Sequence, residues 1–261
     1  MAEAIAGVVA CLRSITQPVG GHSGARAGVI GETGSVRNQG LGAHVQTSAG
    51  RSREEKRQRW VYATGVAAGC LVLVLSALPI EANDVTDLEA GTFEWFNQLP
   101  DLIFRLVWVV MQLGNLLVVP VLVIVALIAR RFRLAGAAAL AGSLVWALAK
   151  LVKQIVPRGR PAELLNDVIL RDAPAAGNGY ISGHAAVVFA LVAVASPYLS
   201  RRTRLFAWLL AIAVCLGRVY VGAHLPLDVV GGAAFGWAVG SLVNLVPGVS
   251  PRVRGRGPVG G

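Results

Sequence analysis

Long runs of apolar residues are the feature of this sequence that most restricts its fold. Six such runs follow position 59. Most of them approach the ~20 residues that a helix needs to cross a bilayer. Hydrophobic residues make up 55% of the chain and charged residues only 15%, against roughly 25% charged residues in soluble domains. The pattern predicts an all-α, polytopic membrane helix bundle with spans at residues 60–80, 106–129, 134–152, 183–199, 204–221 and 226–246.

The sequence on either side of these spans has a different character. Residues 1–59 are rich in Gly, Ser, Thr and Arg without sustained periodicity, which predicts a basic, largely disordered N-terminal extension. We assign residues 60–247 to the membrane domain and residues 248–261 to a basic tail. An acidic loop separates the first two spans, and its aromatic end, residues 93–105, predicts a short interfacial helix. The acidic residues of this loop are Glu81, Asp84, Asp87, Glu89, Glu94 and Asp101.

Basic clusters beside the spans predict how the chain is oriented in the membrane. They precede the first span, separate the second from the third and the fourth from the fifth, and follow the sixth. All four clusters therefore fall on one side, which the positive-inside rule makes cytoplasmic together with both termini. This distribution accounts for the net charge of +10 without a nucleic-acid partner, and it predicts a multi-pass protein of a bacterial plasma membrane. The clusters are residues 51–59, Arg130 with Arg131 and Arg133, Arg201 with Arg202 and Arg204, and Arg252 with Arg254 and Arg256.

A second set of polar residues falls on the outer side. Ionisable groups beside membrane spans are costly, so three clusters on one face indicate function. The first cluster follows the third span, the second begins the fourth span, and the third joins the fifth span to the sixth. Their members are Lys153, Arg158 and Arg160, then Ser182, Gly183 and His184, then Arg218, His224 and Asp228.

The cationic members of this set suit a phosphoryl group. Arg160 and Arg218 offer guanidinium forks that bond oxygen pairs, and Lys153 adds a point charge. The Ser182 hydroxyl is a further donor, and Gly183 lets the backbone approach an anion closely. Free backbone N–H groups in the first turn of the fourth span are further donors for such an anion. Because these cations can neutralise a phosphate, we expect no metal and no cofactor.

The two histidines can divide the chemistry of phosphoryl transfer between them. His224 and Asp228 are four residues apart, so their side chains share one helix face, and Pro226 suits the first turn of that helix. Asp228 can accept a hydrogen bond from one ring nitrogen of His224 and leave the other free to attack. His184 is placed to protonate the leaving group. These roles predict a covalent phosphohistidine intermediate that water then hydrolyses.

The three clusters occur in the order Lys-x6-Arg-Pro, Ser-Gly-His and Arg-x5-His-x3-Asp. Over residues 60–246 this order resembles the type 2 phosphatidic acid phosphatase superfamily, which shares its site with vanadium haloperoxidases. The resemblance implies an all-helical bundle with its site at the outer membrane surface. It also implies that His224 is the nucleophile, Asp228 its charge partner and His184 the general acid. Phosphoryl oxygens would be bound by Lys153, Arg160, Ser182, Gly183 and Arg218. Ile181 stands where the family usually has Pro, and Gly217 stands where it often has Ser.

Several functions are compatible with this pattern. The leading hypothesis is a metal-independent phosphoric ester or anhydride hydrolase that acts on a lipid phosphate or diphosphate, first of all undecaprenyl or another polyprenyl diphosphate. A phosphatidate or phosphatidylglycerophosphate phosphatase is the alternative. The six spans disfavour a haloperoxidase with vanadate in the cage, and the complete His184, His224 and Asp228 set disfavours a non-catalytic lipid-phosphate binding protein. The loop 162–180 is expected to help select the lipid, and the sequence predicts no particular oligomeric state.

Overall fold

The structure is a computed structural model that describes residues 36–80 and 84–246. These residues form helices joined by turns and loops, without a β-strand, which confirms the all-α prediction. The predictions for residues 1–35 and for the tail 248–261 lie outside the described residues. The described helices are α1 (Val36–Ala77), α2 (Asp87–Asn97), α3 (Phe104–Met111), α4 (Val118–Ile128), α5 (Phe132–Ile155), α6 (Pro161–Leu164), α7 (Gly183–Ala195), α8 (Arg201–Tyr220) and α9 (Pro226–Leu245).

Helix α1 begins well before the predicted start of the first span at residue 60. The part that is long and apolar enough to cross a membrane is Arg53–Ala77. Arg, Lys, Glu and Gln all have high helix propensity, which allows the basic run at residues 51–59 to continue the helix. The described residues from Tyr62 onward belong to one compact unit, which carries the candidate site.

The predicted spans differ in how completely they form. Besides the stretch in α1, the helices α5, α8 and α9 are long and apolar enough to cross a membrane. The predicted second span is not one straight helix, because α3 and α4 meet at an angle of 66° across a break of a few residues. If that pair counts as one span, the described residues contain five. The set of apolar helices is that of a multi-pass membrane protein.

Helix α7 corresponds to the predicted fourth span and lies inside the bundle. Its 13 residues extend about 20 Å at ~1.5 Å per residue, less than the ~30 Å of a hydrocarbon core. The consecutive residues 185–188 are all buried, so protein surrounds α7 on every side. The start of this helix is therefore fixed by packing rather than by contact with lipid.

Glycines on α9 allow it to pack closely along α7. A Cβ atom added at Gly232 would meet the carbonyl oxygen of Ser182, and one added at Gly236 would meet the carbonyl of Ala186. The Ser182 N–H also donates to the carbonyl of Asp228 at 2.9 Å. The start of α7 and the first turn of α9 are thus held side by side, and both carry predicted site residues.

The break between α3 and α4 lies against the same place. A 3-10 turn, Gln112–Gly114, ends α3, and the Asn115 side-chain carbonyl accepts the Leu117 N–H at 3.0 Å to start α4. Gly114 is buried, and a Cβ atom added there would lie 2.8 Å from the carbonyl oxygen of His184. The broken helix therefore supports the first turn of α7.

Candidate active site

A cavity of about 530 Å³ opens at the end of the bundle where α5 and α8 end and where α7 and α9 begin. Six of the eight residues predicted for the site line this cavity, although they come from four separate chain segments. The grouping follows from the alternation of helix directions, which returns each predicted cluster to the same end of the bundle. The cavity is lined by Trp108, Met111, Gln112, Asn115, Lys153, Arg160, Asp172, Pro174, Gly183, His184, Arg218 and His224.

The other two predicted residues, Ser182 and Asp228, lie behind the cavity wall. Both are completely buried, and the backbone hydrogen bond between them joins α7 to α9. The structure thus brings all eight predicted residues into one region at one end of the bundle.

His224 and Asp228 form a buried pair. The His224 Nδ1 atom lies 3.6 Å from Asp228 Oδ2, slightly beyond hydrogen-bond distance, and has no other partner among the described residues. The same carboxylate oxygen accepts the Leu225 N–H at 2.9 Å and so caps α9, with Pro226 at the first helical position. A proton on Nδ1 would face the carboxylate, which leaves Nε2 as the ring nitrogen available to the cavity.

Burial keeps the His224 ring neutral at physiological pH. It lowers the pKa of His224 to about 4, because the charged imidazolium is poorly solvated there. The nearby Asp228 carboxylate raises the pKa, and the positive charges of Arg218 and Arg160 lower it further. A neutral imidazole has the lone pair that a nucleophile needs.

Several polar groups around the cavity have donors to spare. The Nε atoms of Arg160 and Arg218 and the Ser182 hydroxyl are buried without a hydrogen-bond partner in the described part of the chain. A Cβ atom added at Gly183 would meet nothing within 4 Å, so open space adjoins the backbone at the start of α7. Buried donors are normally satisfied, so these groups indicate a place for an anion.

Two backbone contacts hold the cationic side chains in place. Arg160 Nη1 donates to the carbonyl of Ala223 at 2.8 Å, which ties it to the turn that carries His224. Lys153 Nζ donates to the carbonyl of Asn178 at 2.8 Å, while the Asn178 amide donates to the Lys153 carbonyl at 3.1 Å. Positive charge is therefore fixed at the cavity before any ligand binds, as electrostatic stabilisation of a transition state requires.

A buried ion network that the sequence did not predict lies behind Asp228. Arg158 Nη1 donates to Asp228 Oδ1 at 3.0 Å and to Glu89 Oε1 at 3.1 Å, and Nη2 donates to Glu89 Oε2 at 2.6 Å. Glu89 Oε1 also accepts the Leu227 N–H at 3.0 Å. Burial opposes the charge on Arg158, but the hydrogen bond to Glu89 and the nearby carboxylates outweigh it, so its pKa is raised. Glu89, one of the acidic residues between the first two predicted spans, therefore helps to hold Asp228 in position.

The loop between α6 and α7 closes one side of the cavity. Arg171 anchors it, donating to the carbonyls of Asn97, Leu99 and Tyr220 at 2.7–2.9 Å. The next residue, Asp172, lines the cavity and accepts the Trp108 indole N–H at 3.0 Å. A fixed carboxylate therefore faces the same space as the cationic cluster.

The two departures from the family pattern have packing roles. Ile181 is completely buried in the core at the start of α7. At Gly217, an added Cβ atom would come 2.9 Å from Met111 and 3.0 Å from Val107, so glycine allows α3 to approach α8. Both positions are therefore part of the packing around the site.

Fold and site together define a helix bundle of the apolar kind that multi-pass membrane proteins have, with a polar cavity built around a buried histidine. Residues 130–250 match the sequence model described as the PAP2 superfamily, and all eight predicted site residues lie within that range. This match agrees with the resemblance to the type 2 phosphatidic acid phosphatase superfamily that the three clusters carry.

Individual proteins are also similar to this chain. The chain is similar to an undecaprenyl-diphosphatase from Sulfolobus acidocaldarius, with 29% identity over 116 residues that cover 43% of this chain. The aligned part spans about half of that relative, 51% of its length. The fold is similar to that of LpxE from Aquifex aeolicus, with a TM-score of 0.57 and 28% identity, covering 61% of this chain and 96% of that one. It is also similar to a transmembrane PAP2 type phosphatidylglycerolphosphate phosphatase from Bacillus subtilis, with a TM-score of 0.56, 20% identity, and coverage of 69% and 94%.

Proposed function

We propose that this protein is a membrane-embedded phosphatase that hydrolyses a lipid phosphate or diphosphate through a phosphohistidine intermediate. One observation carries the proposal: a neutral, buried His224 faces a cavity whose walls hold the unpartnered donors of Arg160 and Arg218. A phosphoryl group in that cavity would satisfy the donors and meet the ring nitrogen of His224. The match of residues 130–250 to the PAP2 superfamily model supports the same reaction class.

The reaction has two displacements at phosphorus. His224 Nε2 attacks, so an N–P bond forms while the bond to the leaving oxygen breaks, and that oxygen takes a proton from His184, which must enter this step as the imidazolium. Water then attacks phosphorus, the N–P bond breaks, and His184 takes back the proton of the water. Asp228 stabilises the positive ring of the phosphohistidine throughout, and Lys153, Arg160, Ser182, Gly183 and Arg218 bind the phosphoryl oxygens.

The first substrate we propose is undecaprenyl diphosphate or another polyprenyl diphosphate, cleaved at its terminal phosphate. Similarity to the Sulfolobus undecaprenyl-diphosphatase supports this choice. Glycerolipid monophosphates such as phosphatidate or phosphatidylglycerophosphate are the second candidates, and Asp172 favours them. A carboxylate that lines the cavity is an unfavourable neighbour for a second phosphate group. The basic flanks of the spans support a site on the outer membrane face, with both termini in the cytoplasm.

The test of the proposal is phosphate release by the full chain in detergent, with a chelator present and with polyprenyl diphosphate, phosphatidate and phosphatidylglycerophosphate compared. Wild-type protein should release inorganic phosphate from at least one of them. His224→Ala should release none, whereas His184→Ala should still form an acid-labile phosphoenzyme that turns over slowly. A folded His224→Ala protein that releases phosphate at the wild-type rate would refute the assignment of the nucleophile.

A further inference from the structure

Three charged side chains are packed together behind His224, and only Asp228 belongs to the motif that identifies the family. Glu89 comes from α2 and Arg158 from the segment after α5, and both side chains are at most 5% exposed. Burying charges is costly unless they are paired, so this group needs a compensating role or excellent geometry. The geometry is excellent, since the Arg158 fork meets both Glu89 oxygens and one Asp228 oxygen.

We propose that Glu89 and Arg158 are positioning residues that set how strongly the Asp228 carboxylate supports positive charge on His224. The inference rests on the proposed function, in which His224 is the nucleophile. Neither residue contacts the cavity, so both act through Asp228.

The charge balance of the group supports this role. Two carboxylates and one guanidinium leave a net charge of −1 beside a neutral His224. Attack through Nε2, with the proton kept on Nδ1, gives the imidazole ring a positive charge. The four groups then sum to zero, so the network is neutralised at the step in which the phosphohistidine forms. Because the negative charge of this group is in place before the reaction, the surrounding protein does not have to rearrange when the ring becomes positive.

Glu89 also fixes the geometry of the pair. Its Oε1 atom accepts the Leu227 N–H at 3.0 Å, in the first turn of the helix that carries Asp228. The same carboxylate holds Arg158, which bonds to Asp228. One side chain on α2 thereby orients both the guanidinium and the helix start, and a shift of α2 would move Asp228 relative to His224.

Other charges also face His224 and stay unchanged in the variants that test the proposal. Those that line the same cavity are Arg160, Arg218, His184, Lys153 and Asp172. A change in the titration of His224 on substitution at positions 89 and 158 therefore reports on the Glu89–Arg158 pair.

The experiment is a histidine NMR titration of the full chain in detergent, with ¹³C at Cε1 of its 4 histidines. The His224 signal is assigned by its loss in His224→Gln. Arg158→Met removes the cation beside Asp228, so His224 should gain its proton at higher pH than in wild type. Glu89→Gln removes the anion that competes for Arg158, so Asp228 is neutralised more fully and His224 should stay neutral to lower pH. Each midpoint should move by about half a pH unit or more.

A matched control and two conservative variants complete the set. Glu94→Gln makes the same chemical change on an exposed position of the same helix and should leave the midpoint unchanged. Arg158→Lys keeps the charge but loses the fork, so kcat should fall about tenfold while the midpoint stays near that of wild type. Glu89→Asp should restore the midpoint that Glu89→Gln displaces.

Opposite movements of the midpoint distinguish positioning from a merely structural role. Midpoints that stay fixed, or that move in the same direction in both variants, would overturn the proposal. If Arg158→Met or Glu89→Gln does not fold, Arg158→Lys decides, and wild-type kcat in that variant would overturn the proposal. Wild-type protein that releases no phosphate would refute the proposed function, whereas the histidine titration would still be readable, so the two failures can be told apart.

Discussion

Gly114 lies directly against His184, because the turn that breaks the second apolar segment packs on the first turn of α7. An added Cβ atom would come 2.8 Å from the His184 carbonyl oxygen and 2.9 Å from its Cβ atom. The break therefore needs glycine at this position, and the proposed general acid is held by a residue on a different helix.

Substituting Gly114 should disturb catalysis more than folding. Gly114→Ala forces the turn away from His184, and overpacking of this kind costs ~1–3 kcal/mol. Because the displaced residue is the proposed general acid, we expect kcat to fall about tenfold or more. Phosphate release and detergent thermal stability measure the two effects separately. Gly136→Ala is the control, since a Cβ atom there meets nothing within 4 Å, and this variant should keep wild-type activity.

The pH dependence of the reaction should reflect the burial of His224. Burial lowers the pKa of His224 to about 4, so the ring keeps its lone pair well below the ordinary histidine range. As pH falls through this value the ring is protonated, and kcat/KM should fall about tenfold per pH unit. A pH profile with a short-chain lipid phosphate measures this limb. An acidic limb centred near pH 6.5 instead, the ordinary value for histidine, would contradict a buried nucleophile.

Asp172 should influence which lipids are cleaved. Asp172→Asn removes a negative charge from the cavity wall and keeps an oxygen for the Trp108 indole. We expect kcat/KM for a polyprenyl diphosphate to rise about fivefold relative to phosphatidate, from roughly 1 kcal/mol of relieved repulsion. Asp167→Asn is the matched control. Both aspartates have positive φ angles, of 52° and 58°, which asparagine also tolerates, but Asp167 does not line the cavity. Equal effects of the two variants would exclude a local charge effect.

The orientation of the chain can be tested by thiol labelling in intact cells. Ala176→Cys lies on the exposed loop beside the cavity, and Arg202→Cys lies at the exposed start of α8. In a background without Cys11 and Cys70, an impermeant maleimide should label position 176 and leave position 202 unlabelled. The reverse pattern would place the cavity on the cytoplasmic side. Position 176 is preferable to Gly177, whose φ angle of 108° would strain any substitution.

The site residues could be predicted from the sequence because their spacing coincides with the ends of apolar segments. Lys153, His184, Arg218 and His224 lie at span ends that alternate to one face, and the structure places all four around one cavity. The pairing of His224 with Asp228 follows from the four-residue helical repeat. The spacing of residues along the chain is therefore enough to predict most of the residues that line the cavity.

Contacts between distant segments could not be predicted in the same way. Glu89 is one of several acids in the first loop, and its partner Arg158 is 69 positions away, so no local pattern singles it out. The break at residues 112–117 was also missed, because apolar composition remains high across it and only packing against α7 fixes the turn. The burial of α7 by the other helices could not be predicted either, since hydropathy does not distinguish a surround of lipid from a surround of protein.

Asp228 joins three parts of the chain, because its atoms bond to Arg158, to the backbone of Ser182 and, within its own turn, to Leu225 while facing His224. A substitution at position 228 would destabilise the fold and would also impair the proposed role of His224. An inactive protein intended to capture a bound lipid for crystallography should therefore carry its change at His224 and retain Asp228. Loss of activity in natural variants at position 228 should correspondingly come with reduced amounts of protein in the membrane.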